Sequence, residues 1–255
     1  MFRLVVLGLV VCGTACDGAS TTADAALGDD ALPRHDAALE IDASVGPCPA
    51  DTAFVGATCM DRFEAPNIAG AKPLVMYTFV EAEAWCGARQ KRLCFDDEWQ
   101  FACEGPAKEK YPYGNTRQAG ACNDNKTWKQ YAQSILNGWP ASASTPSISS
   151  LDNLLELART KGPSATSAAN HVVALYQGTG GGEATGCEGE GGVMDLVGNV
   201  EEWTRRRDGG MALFHGSLKG RYWAEARTCQ SAVTTHGDNF RFYEIGFRCC
   251  SEPSK

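Results

Sequence analysis

Residues 191–204 read GGVMDLVGNVEEWT, and residues 245–249, close to the end of the chain, read IGFRC. In both runs short apolar stretches are interrupted by glycine, and the whole chain of 255 residues contains 28 glycines and 11 prolines. Because glycine and proline break regular elements, this frequency predicts short strands joined by many loops.

Helices are predicted upstream of these runs. Thr78 and Glu81 have the spacing of a capping box, which predicts a helix that continues to about residue 91. A second helix is predicted from about Asp96 to Cys103, because acidic residues in its first turn complement the helix dipole. Residues 151–161 are a candidate third helix. The chain is therefore expected to mix helices with short strands.

The composition excludes two classes of protein. The apolar run Leu4–Val11 is too short to span a bilayer, and the mean hydropathy of -0.26 is that of a soluble protein, which argues against a polytopic membrane protein. The net charge is -8, and the one basic cluster is Arg205–Arg207. Because a phosphate backbone is bound by clustered Lys and Arg, we expect no nucleic-acid partner.

The N-terminus has the layout of a bacterial export signal over residues 1–15. Arg3 precedes the apolar run, and small residues follow it. Cys16 then resembles the lipidated residue of a lipoprotein signal, and it would become the mature N-terminus. Plain secretion with a free Cys16 is the alternative. The protein is therefore expected in the bacterial cell envelope, attached to a membrane through a lipid anchor only, with the leaflet left open.

Residues 16–46 are predicted to be a disordered acidic tether. Residues 17–46 contain seven acidic residues and one basic residue among Ala, Ser and Thr. Low hydrophobicity with charge of one sign cannot offset the entropy of ordering the chain. The folded domain is therefore expected to cover residues 47–255.

Ten of the 12 cysteines follow the tether. In an oxidising compartment cysteines pair, and an even number allows all of them to do so. A zinc site would favour close C-x-x-C pairs, and the chain contains none. Disulfides are therefore expected for these ten: Cys48, Cys59, Cys86, Cys94, Cys103, Cys122, Cys187, Cys229, Cys249 and Cys250.

Six runs in this order resemble the formylglycine-generating enzyme family, also called the sulfatase-modifying factor family. They are CMDRFEAPN (59–67), EAEAWCGARQKRLCFDDEWQFACEG (81–105), YPYGN (111–115), GGVMDLVGNVEEWT (191–204), HGS (215–217) and IGFRC (245–249). The resemblance covers nearly all of the chain after the tether. It implies a loop-rich α+β fold of the C-type lectin kind, here held by disulfides and carrying an enlarged insertion at about 126–186.

The resemblance also implies a disulfide pairing. It pairs Cys86 with Cys249 and Cys103 with Cys229. Cys48 with Cys59 is a guess from proximity, and Cys94 with Cys250 and Cys122 with Cys187 are guesses for the remainder.

The chemistry of the catalytic members is expected to be missing. Those enzymes bind copper(I) with two cysteines in the segment that follows the HGS position, since a soft ion prefers thiolates. Here residues 215–229 read HGSLKGRYWAEARTC, and no cysteine lies between Cys187 and Cys229. The residues at the two positions are Gly220 and Glu225 in an alignment from HGS, or Lys219 and Ala224 in an alignment back from Cys229. No copper is expected.

Calcium is the cofactor that the resemblance favours. The side chains of Asn199 and Glu202 and the carbonyl of Val200 match a family site of oxygen ligands. The alternative is that Asn199 stabilises a turn and Glu202 pairs with an arginine such as Arg248. For a second family site, near Asn123, the sequence does not locate the acidic partner.

The leading hypothesis is an exported, lipid-anchored, non-catalytic module whose former active-site cleft binds a small ligand or a partner protein of the cell envelope. One alternative is an enzyme of unknown reaction in the same cleft, with His215 and Glu225 as an acid/base pair. Another is a structural envelope protein that only packs against its neighbours. The residues expected to line the cleft are His215, Ser217, Arg221, Trp223 and Glu225.

Overall fold

The computed structural model describes residues 46–254. The predicted export signal, Cys16 and the predicted tether up to residue 45 lie outside these residues. The helices are α1 (Phe79–Gly87), α2 (Asp96–Glu104), α3 (Gln133–Leu136), α4 (Leu151–Arg159) and α5 (Pro163–Leu175). Within the described residues, no helix is long and apolar enough to cross a membrane.

The strands are short, and the longest in the described chain has five residues. They are β1 (Thr52–Val55), β2 (Thr58–Asp61), β3 (Arg92–Leu93), β4 (Glu201–Arg205), β5 (Gly216–Lys219), β6 (Arg221–Tyr222), β7 (Glu225–Ala226), β8 (Ala232–Val233), β9 (Ile245–Phe247) and β10 (Cys249–Ser251). Most helices lie in the first part of the domain and most strands in the last part, and the α+β class predicted from the sequence is confirmed.

Two four-stranded sheets hold the domain together. The first has the order β1-β2-β10-β3, so the last strand lies between two strands from the N-terminal part of the domain. The second has the order β8-β5-β4-β9, in which β4 pairs antiparallel with β5 and parallel with β9. Strands β6 and β7 form a separate hairpin. The run quoted first, residues 191–204, therefore leads into the centre of the second sheet.

Local signals in the sequence account for the first two helices. Thr78 Oγ1 accepts a hydrogen bond from the Glu81 amide at 3.2 Å, and Glu81 Oε2 accepts one from the Thr78 amide at 2.9 Å. The predicted capping box is confirmed. Helix α2 ends at Gly105, whose φ of 58° suits a glycine. Trp85 of α1 and Trp99 of α2 are buried in the core.

The insertion is largely helical. Helix α4 lies within the predicted 151–161, whereas α5 was not predicted. Its sequence is rich in Ala, Ser and Thr, so its apolar periodicity is weak. The local signal for its start is Pro163, which occupies the first helical turn directly after Gly162. Helices α4 and α5 pack against each other and bury small side chains of α5, such as Ala168 and Ala169.

Five disulfides crosslink the described residues, and four of them join cysteines at least 65 residues apart. The bonds are Cys48–Cys59, Cys86–Cys249, Cys94–Cys250, Cys103–Cys229 and Cys122–Cys187. The pairing is the one given above.

Neighbouring residues of a strand point to opposite faces of the sheet. Accordingly Cys249 lies in one apolar cluster, with Trp85 and Trp203, and Cys250 lies in the other, with Met60 and Trp99. Strand β10 thus connects both parts of the core.

Candidate functional site

A buried ion pair joins Glu202, which lies in the GNVEEWT run, to Arg248. Arg248 Nε donates to Glu202 Oε2 and Arg248 Nη2 donates to Glu202 Oε1, each at 2.7 Å. Both residues are fully buried. Arg248 also donates to the carbonyls of Asp61 and Met194, so its guanidinium connects the first sheet to the loop before β4. A bidentate arginine–carboxylate pair of this kind is strong and directional.

The side chain of Asn199 fixes the loop next to this pair. Its Oδ1 accepts hydrogen bonds from Asn123 Nδ2 at 3.1 Å and from the Thr179 amide at 2.8 Å. Its Nδ2 donates to Glu64 Oε1 at 2.9 Å. Asn199 has a positive φ of 53°, a conformation that asparagine tolerates better than most residues.

The residues expected to bind calcium do not fit an ion as they stand. Arg248 occupies both carboxylate oxygens of Glu202, and protein N–H groups occupy the side-chain oxygen of Asn199. The pairing of Glu202 with Arg248 is the alternative weighed in the sequence analysis, and calcium on this chain stays a prediction.

Two further acids complete the cluster, and the sequence analysis did not single them out. Glu64 and Asp195 are buried, and Glu64 Oε2 and Asp195 Oδ1 have no hydrogen-bond partner among the described residues. Burial raises the pKa of Asp195 to about 6. Burial and then the charge of Asp195 raise the pKa of Glu64 well above its ordinary value. Both acids stand between apolar residues in the quoted runs, and that flanking is the signal that could have identified them.

His215 and Ser217 are each hydrogen-bonded to a residue outside the predicted cleft set. His215 Nδ1 lies 2.6 Å from Asp238 Oδ2, and the His215 amide donates to Asp238 Oδ1 at 2.7 Å. The hydroxyl of Ser217 is buried 2.8 Å from the hydroxyl of Thr204. The partner of His215 is thus Asp238, and the acid/base pair with Glu225 does not form.

Arg221 and Glu225 brace the β6–β7 hairpin. Arg221 donates to Glu225 Oε2 at 2.6 Å and to Glu201 Oε1 at 3.0 Å, and Arg227 donates to Glu225 Oε1 at 3.0 Å. Burial raises the pKa of Glu225, but the two guanidiniums outweigh it and hold the pKa below its ordinary value. A carboxylate held in this way is a poor proton acceptor at neutral pH.

Trp223 lies inside the protein, with 1% of its surface exposed. Its ring packs against Tyr176 at 5.1 Å and Tyr243 at 6.0 Å between centroids. Its carbonyl accepts a hydrogen bond from the amide of Lys126 at 2.8 Å. Lys126 begins the insertion and Tyr176 follows α5, so the insertion packs onto Trp223, which is buried instead of lining an open cleft.

The positions expected for copper ligands hold no thiol. Every cysteine in residues 46–254 is in a disulfide. Lys219 is buried, with its Nζ 3.3 Å from Gln100 Oε1, and burial lowers its pKa to about 8. The gap beside Gly220 and Arg221 has no room for a water molecule.

The basic cluster is neutralised within the fold. Arg205 pairs with Glu83, Arg206 with Asp208, and Arg207 with Asp97 and Glu98. These three arginines therefore offer little free positive charge for a phosphate backbone.

Glu244 is a further buried acid whose pKa is raised. It is 8% exposed, and its Oε2 has no hydrogen-bond partner among the residues described. Burial, and after it the charge of Glu201, raises the pKa of Glu244 to about 8. The surrounding structure thus disfavours its charged form.

Comparison with known proteins gives three findings. The family model described as the sulfatase-modifying factor enzyme 1-like domain matches residues 51–253. A Bos taurus protein, inactive C-alpha-formylglycine-generating enzyme 2, is 27% identical over 187 residues, which cover 70% of this chain and 50% of that protein. The chain thus spans half the length of this curated relative. The crystal structure of CarF matches at a TM-score of 0.36 and 16% identity, over 65% of this chain and 48% of that one.

Replacing Glu244 by Gln should stabilise the domain increasingly as the pH rises. The pKa of Glu244 is raised from 4.5 to about 8 in the folded state, so ionisation costs folding free energy between these two pH values. The variant avoids that cost, which is on the order of a few kcal/mol at most. Melting temperatures of wild type and Glu244→Gln at pH 4.5 to 9 measure it.

Glu225→Gln is the control, because it should change the melting temperature in the opposite direction. The pKa of Glu225 is lowered, so its ion pairs stabilise the fold above pH 4.5, and their loss should lower the melting temperature there. A Glu244→Gln variant whose melting temperature differs from wild type by the same amount at every pH would contradict the assignment.

Proposed function

Because the chain belongs to the formylglycine-generating enzyme (sulfatase-modifying factor) family, we propose that it is an exported, non-catalytic member that binds a ligand or a partner protein. Its disulfide-rich α+β fold is the C-type-lectin-like fold of that family. The observation that carries the proposal is that every cysteine of residues 46–254 is in a disulfide.

Copper(I) needs soft ligands, and thiolates are the protein's best ones. The alternatives at the two aligned positions are a buried lysine, a glycine, an alanine and a carboxylate that is already paired with two arginines. None of these is a soft ligand. The relative from Bos taurus is itself named an inactive enzyme, which agrees with a loss of chemistry on this scaffold.

Export and lipid anchoring rest on the sequence and on the disulfides. Residues 1–16 have the layout of a lipoprotein signal. Five disulfides suit a protein that folds in an oxidising compartment. We propose that Cys16 carries the lipid and that residues 17–46 give the domain reach from the membrane.

The second candidate is an enzyme of unknown reaction, and His215 is the observation that favours it. Its side chain is 46% exposed, while its partner Asp238 is buried, with 8% of its side chain exposed. A carboxylate at Nδ1 fixes the imidazole tautomer and leaves Nε2 for proton transfer. The hydroxyl of Ser217 is hydrogen-bonded to the hydroxyl of Thr204. None of the cleft candidates therefore places a nucleophile beside His215.

We also propose a calcium site, with ligands other than Asn199, Val200 and Glu202. Asn123 and Glu183 line one cavity of about 300 Å³, and Asn123 Oδ1 has no hydrogen-bond partner in the described chain. An amide oxygen and a carboxylate are ligands that calcium prefers. The acidic partner that the sequence did not locate near Asn123 is therefore assigned to Glu183.

The protein should not convert a sulfatase cysteine peptide to formylglycine, even with copper(I) and a reductant supplied. The physical reason is the absence of two converging thiolates in the described chain. Mass spectrometry of the peptide after incubation is the measurement, with an active family oxidase as positive control. Formylglycine above the level of a no-enzyme control would overturn the proposal.

Calcium should raise the melting temperature, and a chelator should reverse the rise, because an ion that binds only the folded state stabilises it by mass action. Glu183→Gln should abolish the effect, whereas Glu109→Gln, in a different cavity, should leave it intact. Identical melting curves with calcium and with chelator would remove calcium from the account.

A further inference from the structure

The insertion exposes aromatic and apolar side chains on one run of chain and on the helix beside it. Residues 125–131 are exposed throughout, and they include Trp128, with 49% of its surface exposed, and Tyr131, with 37%. The two rings are 6.2 Å apart between centroids. On α5, Val173 is 48% exposed. We call the following residues the insertion face: Lys126, Trp128, Lys129, Tyr131 and Val173.

Two hydrogen bonds hold this run of chain against the second half of α5. Lys129 Nζ donates to the carbonyl of Ala174 at 2.7 Å, and the amide of Ala132 donates to His171 Nε2 at 2.9 Å. Val173 lies between the two helix positions that these bonds reach. The exposed side chains of both segments therefore belong to one surface.

The insertion face lies in acid-free sequence, although the chain as a whole is acidic. Residues 126–150 contain no Asp or Glu, and neither does α5, whereas the whole chain has 31 acidic residues and a net charge of -8. In residues 46–254 the salt bridges of lysine are those of Lys91. Lys126 and Lys129 are exposed, so their positive charge is available to a partner outside the chain.

A lipid bilayer complements this combination of side chains. Trp and Tyr are enriched where headgroups meet hydrocarbon, because each ring has an apolar body and a polar end. Lysines next to them are attracted to anionic headgroups, and their apolar stems can lie along the interface. Lysine is depleted in interfaces between proteins. The pairing of exposed aromatic rings with free lysines therefore favours a membrane over a protein partner.

The chain that precedes the domain keeps the insertion face close to a membrane. Cys16 is proposed to carry a lipid, and residues 17–45 connect it to the described residues. A flexible chain of this length spans on the order of 30 Å. Because a tethered surface meets the bilayer at a high effective concentration, even a weak contact is populated.

We propose that the insertion face docks on the anionic headgroups of the bilayer that holds the lipid anchor. Trp128 and Tyr131 lie in the interface, and Lys126 and Lys129 contact lipid phosphates. This inference rests on the proposed lipid anchor for its proximity to the membrane. It adds a second contact to the attachment through the anchor alone that the sequence predicted, and this contact fixes the orientation of the binding module on the bilayer.

Trp128 is a natural reporter for the test, because the other five tryptophans are at most 8% exposed. Residues 17–255, secreted without Cys16, contain the whole described domain and lack the lipid. Vesicles of equimolar phosphatidylglycerol and phosphatidylcholine should shift the tryptophan emission to shorter wavelength and protect it from acrylamide. Vesicles of phosphatidylcholine alone should bind about tenfold more weakly.

A pair of double variants locates the contact. Lys126→Gln with Lys129→Gln should weaken binding to the anionic vesicles by about tenfold. Lys110→Gln with Lys161→Gln removes the same charge from exposed positions elsewhere and should change the affinity by less than about twofold. Trp128→Ala, followed by co-sedimentation with the vesicles, should also cost about tenfold. All five positions are exposed, so misfolding is not expected.

Absence of binding to the anionic vesicles would contradict the proposal. An equal loss in both double variants would do the same, because binding would then follow net charge and not the insertion face. Protection of Trp128 without vesicles, together with the mass of a dimer, would replace the bilayer by a second copy of the chain. The mass of the N-terminal peptide of the full exported chain tests the lipid anchor separately, so failure of the anchor and failure of the insertion face are distinguishable.

Discussion

The rest of the structure depends on two adjacent cysteines in the last strand. Cys249 and Cys250 point to opposite faces of β10, and their partners lie 163 and 156 residues earlier, in α1 and just after β3. In the chain-entropy model, closing a loop of this length removes up to about 5 kcal/mol of unfolded-state entropy. Arg248, one residue before them, is thereby held against Glu202 on β4. One short segment thus fixes both sheets, both parts of the core and the buried ion pair.

The same commitment to structure extends to every cysteine of residues 46–254. The cysteines that remain are committed to structure, and a thiol in a disulfide cannot bind copper(I). The insertion packs onto Trp223 and buries it. His215, bonded to Asp238, remains partly open to solvent. Binding at a surface is a function that such an arrangement still supports.

The sequence predicted those features that depend on local signals or on an ordered set of motifs. Thr78 and Glu81 predicted the start of α1 because a capping box involves residues three positions apart. The family runs predicted the α+β fold because their order is itself specific. The burial of Trp223 could not be predicted, because Lys126 and Trp223 meet across 97 residues through a backbone contact that no motif encodes. The bonds of Asn199 to Glu64 and of His215 to Asp238 are long-range in the same sense. Calcium was assigned to Glu202 because the run matched a family pattern, whereas the structure commits that carboxylate to Arg248.

The most direct test of the central claim is a disulfide and thiol map of the folded protein, digested without reduction after alkylation. The account predicts no free thiol among the ten cysteines from Cys48 to Cys250, with Cys86 linked to Cys249 and Cys103 linked to Cys229. Recovery of two alkylated cysteines from the folded domain, or a crosslink between Cys86 and Cys103, would contradict it, because the ten cysteines would then not form the five disulfides of the structure.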